Sequence, residues 1–209
     1  MIKILIVDDI KILCQGLEAI LKQDKELCVL GSAQNGKQAV ELCEKLRPDV
    51  VLMDMNMPEY DGGYAARQIK QLGYEVKILV LTTFDDEETV QKAISSGVDG
   101  YILKEMDEIK IIQSIKSVYA GIVVLGSSIF ERMKEKRKTL PSYETGQNIT
   151  EREKELLAYV MRGYNNKEIA GKMNLAEGTV RNNISKLLEK LKLKDRTQLA
   201  VFGIKNGIE

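Results

Sequence analysis

Histidine is absent from this chain of 209 residues, and with it the usual proton acceptor of general acid–base catalysis and the base that activates serine or cysteine nucleophiles. Cysteine is scarce. Cys14, Cys28 and Cys43 are odd in number and lack C-x-x-C spacing, so neither a disulfide framework nor a zinc site is expected, and the thiols read as reduced core or half-buried groups. No uninterrupted apolar run approaches the roughly 18 residues of a membrane span, and the first residues enter a strand-like segment without a basic, cleavable leader. A cytoplasmic protein is expected. Net charge is lacking too, with 31 basic and 31 acidic side chains, but the charges are unevenly spread. Residues 1–126 hold 14 Lys/Arg and 20 Asp/Glu, 127–147 hold 5 and 3, and 148–209 hold 12 and 8. An acidic first part and a mildly basic last part fit a cation-binding module joined to one that meets an anion.

What the sequence does have is a set of apolar runs that each end in a polar residue. Ile2-Lys3-Ile4-Leu5-Ile6-Val7 ends in Asp8-Asp9, and Val50-Val51-Leu52-Met53 ends in Asp54. Lys77-Ile78-Leu79-Val80-Leu81 ends in Thr82, and Gly100-Tyr101-Ile102-Leu103 ends in Lys104. If these are buried parallel strands, their carboxyl ends face one crevice, where open α/β sheets bind ligands. Three carboxylates together repel unless a cation compensates them, and a hard divalent ion such as Mg²⁺ favours carboxylates, water and a phosphoryl oxygen. With the Lys104 ammonium and the Thr82 hydroxyl beside them, the group suits a phosphoryl group carried on one of the acids.

Each residue also has a plainer reading. Asp9 precedes the helical period Ile12, Leu13, Gly16, Leu17, Ile20, Leu21 and could simply cap that helix. Tyr101 could be a half-buried strand aromatic, and Thr82-Thr83 ordinary β-branched strand residues. Pro58 and Asp61-Gly62-Gly63 read first as turn chemistry. No one of these explains Asp8, Asp54 and Lys104 together.

In combination and in order, Asp8-Asp9, Met53-Asp54-Met55-Asn56-Met57-Pro58, Asp61-Gly62, Thr82-Thr83 and Gly100-Tyr101-Ile102-Leu103-Lys104 resemble the receiver domain of bacterial two-component response regulators. The resemblance implies that Asp54 is the phosphoacceptor. Asp9 would ligate Mg²⁺ directly, Asp8 mainly through water, Asn56 through its backbone carbonyl, and Asp54 through its carboxylate. Thr82 would bond a phosphoryl oxygen, Lys104 would pair with another, and Tyr101 would swing inward behind Thr82 as a switch.

Helical periods lie between the strands: Gly36 to Leu46, Glu87 to Ser96, and Asp107 to Tyr119. With Leu27 to Leu30 as a further strand, residues 1–122 make a doubly wound α/β domain. Its sheet has five parallel strands in the flavodoxin-like order 2-1-3-4-5. Residues 123–146 read as a linker that holds a short helix, Ser127 to Lys138, and then a polar stretch broken by Pro141 and Gly146. Residues 147–209 read as a small all-α domain. Thr150 and Glu153 form a capping box ahead of Leu156, Leu157, Val160 and Met161, and Asn165 with Glu168 restarts a short helix. A third helix from about Glu177 to Leu191 turns Val180, Ile184, Leu187, Leu188 and Leu191 inward and Arg181, Asn182, Ser185, Lys186 and Glu189 outward. Two helices joined by a tight turn, the second presenting polar and cationic groups, have the form of a helix-turn-helix.

Gly163-Tyr164-Asn165-Asn166-Lys167-Glu168-Ile169-Ala170 and Glu177-Gly178-Thr179-Val180-Arg181-Asn182 resemble the LuxR-type DNA-binding domain, and the whole chain is similar to NarL/FixJ-type response regulators. That likeness implies that Arg181, Asn182 and Ser185 reach base edges, with Lys167, Thr179, Asn183 and Lys186 near phosphates. Arg suits guanine and Asn adenine. A final helix, Thr197 to Asn206, would pair two such domains. Ala176 stands where the family often has a capping Ser or Thr, and Asn183 where it often has a histidine. Four lysines, Lys186, Lys190, Lys192 and Lys194, also suit an ordinary solvated helix end.

The function implied is a DNA-binding transcriptional regulator, not an enzyme, activated by Mg²⁺-dependent phosphorylation of Asp54 by a sensor histidine kinase. Double-stranded promoter DNA would be its target, a homodimer its state when phosphorylated or bound to DNA, and RNA polymerase a candidate further partner. Two other readings stand beside it. One is an atypical regulator that binds DNA without phosphate. The other is a phosphatase with an Asp nucleophile, which would want an Asp-x-Asp pattern at the first strand that Asp8-Asp9 lacks.

Overall fold

The structure, a computed structural model, describes residues 1–83, 87–126 and 149–208. The expected helix at Ser127 to Lys138 and the polar linker after it lie outside the described residues. The chain divides into two units, Met1–Ala120 and Gly121–Glu209.

In the first unit strands and helices alternate: β1 (Ile2–Val7), α1 (Lys11–Leu21), β2 (Leu27–Ala33), α2 (Gly36–Leu46), β3 (Val50–Met53), α3 (Gly62–Ile69), β4 (Lys77–Thr82), α4 (Glu87–Ser95), β5 (Gly100–Leu103) and α5 (Glu108–Tyr119). These strands are parallel neighbours in the order β2-β1-β3-β4-β5. Every residue of β3 is buried, and so is every residue of β4 after Lys77. Burial on both faces is why these strands read as unbroken apolar runs, and it requires helices above and below the sheet.

Strand β2 runs on to Ala33, past Leu30, because Gly31, Ser32 and Ala33 pair with Leu5, Ile6 and Val7 after a register shift between Ile4 and Leu5. Small residues that read locally as a strand end are held by the neighbouring strand. Asp9 does not cap α1: the cap position is Ile10, without a side-chain bond, and Asp8 Oδ1 accepts the Ile10 amide at 2.9 Å. Asp9 stays exposed at the end of the sheet. The Asp61-Gly62-Gly63 turn is also corrected. Asp61 accepts the Tyr64 amide at 2.7 Å as the N-cap of α3, and both glycines lie in its first turn.

After a two-residue strand, β6 (Val124–Leu125), the described part of the second unit consists of α6 (Glu151–Met161), α7 (Asn166–Met173), α8 (Glu177–Leu191) and α9 (Arg196–Asn206). Leu156, Leu157, Val160, Ile169, Val180, Ile184, Leu187 and Leu199 form its core. Both capping boxes are present, Thr150 with Glu153 and Asn165 with Glu168. Ala176 opens α8 without a side-chain cap bond, which forgoes about 1 kcal/mol. The last helix begins at Arg196, one residue before Thr197, with Asp195 as its cap.

Candidate functional site

The polar strand ends converge. Asp8 follows β1, Asp54 follows β3, Thr82 closes β4 and Lys104 follows β5, and these strands are successive neighbours in the sheet. The backbone bonds outlast the strands: the Asp54 amide donates to the Val7 carbonyl at 2.9 Å, and the Lys104 amide to the Thr82 carbonyl at 2.8 Å. The side chains are thereby held at one height. One carboxylate oxygen each from Asp8, Asp9 and Asp54 lies within 4.8 Å of the others. Lys104 Nζ is 2.6 Å from Asp8 Oδ2 and 3.4 Å from Asp54 Oδ2.

Asp8 and Asp54 are 2% and 7% exposed, whereas Asp9 faces solvent. Burial pushes the Asp54 carboxyl above the ordinary carboxylate range, against the lowering pull of Lys104 and of a hydrogen bond with the Thr82 side chain. Three carboxylates with one ammonium leave two negative charges uncompensated when all are ionised. Oxygen donors with that residual charge suit a hard divalent cation.

The loop that carries Asp54 is tightly braced. Glu59 takes a left-handed φ of +63°, and the Tyr60 amide closes onto the Pro58 carbonyl at 2.7 Å. The Gly62 amide donates to the Met55 carbonyl at 3.1 Å, and a Cβ on Gly62 would sit 2.3 Å from the Asp54 carbonyl oxygen. On the far side the Gly36 amide donates to the Tyr60 carbonyl at 2.7 Å, where a Cβ would lie 2.6 Å from that oxygen. Asp61 adds an ion pair of 2.6 Å to Lys92 of α4. Asn56 is exposed in the same loop.

Tyr101 is buried completely, not by half. It pairs in register with Val80, as Leu103 does with Thr82, so Tyr101 and Thr82 lie diagonally on one face of the sheet. This places the aromatic ring on the side of the sheet from which the Thr82 side chain projects.

In the second unit Arg181, Asn182, Ser185 and Lys186 are exposed along α8, Asn183 is half-buried, and Lys167 and Thr179 are exposed at the starts of α7 and α8. Arg181 lies 3.7 Å from Glu177, and the Ser185 hydroxyl donates to the Arg181 carbonyl at 3.1 Å. Lys190 is no free lysine of a helix end: it pairs with Glu153 at 2.7 Å, joining α8 to the start of α6. Long-range pairs of this kind carry no signal in local sequence.

Residues 4–116 match the family described as response regulator receiver domain, and residues 147–202 match the bacterial regulatory proteins of the luxR family. The chain belongs to the NarL/FixJ-type response regulators. The transcriptional regulatory protein LnrK of Bacillus subtilis (strain 168) is 39% identical over 217 residues, spanning 100% of this chain and 99% of that protein. The transcriptional regulatory protein DegU of Brevibacillus brevis is 36% identical, over 99% of this chain and 94% of its own. A LuxR-family two-component response regulator from Aurantimonas sp. SI85-9A1 superposes with a TM-score of 0.63 at 28% identity, covering 66% of this chain and 99% of that one.

This response regulator is a phosphorylation-regulated, DNA-binding transcription regulator. Such regulators are in general not enzymes, their receiver domains generally bind Mg²⁺ at an acidic pocket, and the pairing of the two domains implies a histidine kinase and DNA as partners. Among the described residues no helix is long and apolar enough to cross a membrane.

Proposed function

We propose that Asp54 accepts the phosphoryl group, from a sensor histidine kinase or a small phosphodonor. The observation that carries this reading is the placement of Lys104 between Asp8 and Asp54, at 2.6 and 3.4 Å, beside a third carboxylate. Asp8, Asp9, Asp54 and the Asn56 carbonyl would hold Mg²⁺, which supplies neutralisation of the acid cluster and of the phosphoryl oxygens. An Asp54 carboxylate oxygen forms the new bond to phosphorus as the bond to the donor's leaving group breaks. Lys104 stabilises charge on the phosphoryl oxygens, and Thr82 donates its hydroxyl to one of them. Once Thr82 is drawn to the phosphoryl group, the packing of Tyr101 on the same face shifts the domain toward its active surface.

The output is DNA binding by α8. Arg181, Asn182 and Ser185 face base edges, Lys167, Thr179, Asn183 and Lys186 face phosphates, and two copies paired through the second unit meet two half-sites, with RNA polymerase the next partner on the promoter. The protein would act in the cytoplasm.

Treatment with acetyl phosphate and Mg²⁺ should tighten binding to promoter DNA and raise the dimer fraction, and EDTA added beforehand should prevent both. Equal DNA affinity with and without phosphorylation would instead mark a regulator that works without phosphate. Replacing Arg181 by Ala should cost about 1–3 kcal/mol in specific binding and relax the choice of base at one position of each half-site. Salt-matched titrations on specific and scrambled duplexes read this, and unchanged affinity and selectivity would remove Arg181 from the reading face.

A further inference from the structure

Arg196 opens α9, yet its side chain serves the other end of the helix-turn-helix. Its guanidinium donates through one terminal nitrogen to the Asn166 side-chain oxygen at 2.9 Å and through the other to the Tyr164 carbonyl. These acceptors flank Asn165, the N-cap of α7. The same turn is held from its other sides. Gly163 takes φ +78°, the Tyr164 ring meets Tyr159 edge-on at 5.8 Å, and Lys172 Nζ lies 4.4 Å from its centroid.

The way this cation is used is informative. No ion pair among the described residues includes Arg196, and its Nε is buried without a hydrogen-bond partner. Burial lowers its pKa to about 10, so it remains charged at neutral pH. Taking a guanidinium out of water without a carboxylate is costly, and an apolar side chain would fill the space without that cost. What an apolar side chain cannot do is bind two acceptors at once with a planar fork, fixing both their separation and their direction. The element so fixed is the first turn of α7, which carries the exposed Lys167.

We propose that Arg196 is a positioning residue for DNA binding: its fork sets the first turn of α7 so that Lys167 meets a phosphate while α8 reaches the bases. This rests on the reading of α7 and α8 as the DNA face. Arg196 acts through Tyr164 and Asn166 and does not itself touch DNA.

The test is fluorescence anisotropy of the full-length protein on a random-sequence duplex of about 30 base pairs, in a salt series, because a lost phosphate contact shows in the salt slope. Arg196→Lys keeps the charge but not the fork. It should keep the parent's circular dichroism, weaken binding about eightfold at 0.1 M salt and make the slope of log K against log salt shallower by about one, the signature of one phosphate contact. Lys167→Ala should do the same. Asn166→Ala should weaken binding about threefold, and added to Arg196→Lys it should cost nothing more, since the two act as one unit.

If Lys167→Ala weakens binding while folded Arg196→Lys keeps the parent's affinity and slope, the positioning role is overturned and the DNA reading survives. If Lys167→Ala leaves the slope unchanged, the DNA reading of this face fails instead. Should Arg196→Lys not fold, Asn166→Ala decides: a parent slope in that variant overturns the proposal. Full additivity of the two substitutions also overturns it.

Discussion

Asp54→Asn is expected to take up no phosphoryl group from acetyl phosphate and Mg²⁺, under conditions in which the parent gains one. The amide cannot form the acyl phosphate, and the nearest alternative carboxylates are unlike Asp54. Asp8 is engaged by Lys104 at 2.6 Å and by the Ile10 amide at 2.9 Å, and Asp9 stands in solvent. The loss should therefore be complete, not partial. The fold should survive, because Asn is nearly isosteric and Lys104 keeps its Asp8 partner. Burial holds the Asp54 carboxyl above its ordinary range, so its ionised form opposes folding, and a neutral side chain removes that term. In metal-free buffer at neutral pH the melting temperature of the variant should equal or exceed the parent's. Intact mass and a thermal melt on the same samples check both points. Equal labelling of variant and parent would move the acceptor to another residue.

The second large effect is expected from the smallest change near the site. Gly62→Ala places a methyl 2.3 Å from the Asp54 carbonyl oxygen and 2.9 Å from Met55 Cα. Both obstacles are backbone, held in turn by the bond from the Gly62 amide to the Met55 carbonyl, so no side chain can rotate out of the way. The cost should reach the top of the overpacking range, about 3 kcal/mol. Relief must come from displacing Asp54 or the start of α3, so the rate of phosphorylation should fall along with stability. Gly16→Ala is the internal comparison: a Cβ there meets nothing within 4 Å in α1, and the better helix former should stabilise by about 0.5–1 kcal/mol. Urea unfolding with phosphorylation kinetics on both variants reads the contrast. A Gly62→Ala variant as stable as the parent would show that the approach of α3 to the Asp54 loop is not tight.

Much of this could be read in the chain itself, for reasons that differ by element. The strands were legible because double burial forces unbroken apolar runs, and the residue that closes each run is the one that lies at the carboxyl edge of the sheet. Helices α2 and α5 were legible through their apolar periods, and α6 and α7 through capping boxes whose partners lie three residues apart. Where local chemistry and the neighbouring strand disagreed, local reading failed: Gly31, Ser32 and Ala33 look like an ending and are strand because β1 pairs with them. Asp61-Gly62-Gly63 looks like a turn and begins a helix, since the same three residues that favour turns also suit an N-cap and a close approach of backbones.

By itself the sequence determined the two domain types, the strand ends that carry Asp8, Asp54, Thr82 and Lys104, and the polar face of α8, because each is written in residue type and period along a single element. Tertiary structure alone decided that Lys104 lies between Asp8 and Asp54, that Tyr101 is fully buried on the face of Thr82, that Gly62 leaves no room beside the Asp54 backbone, and that Arg196 grips the turn before α7. Those relations join residues far apart in the chain. Their distances follow from register, packing and cap geometry acting together, and no local pattern encodes them.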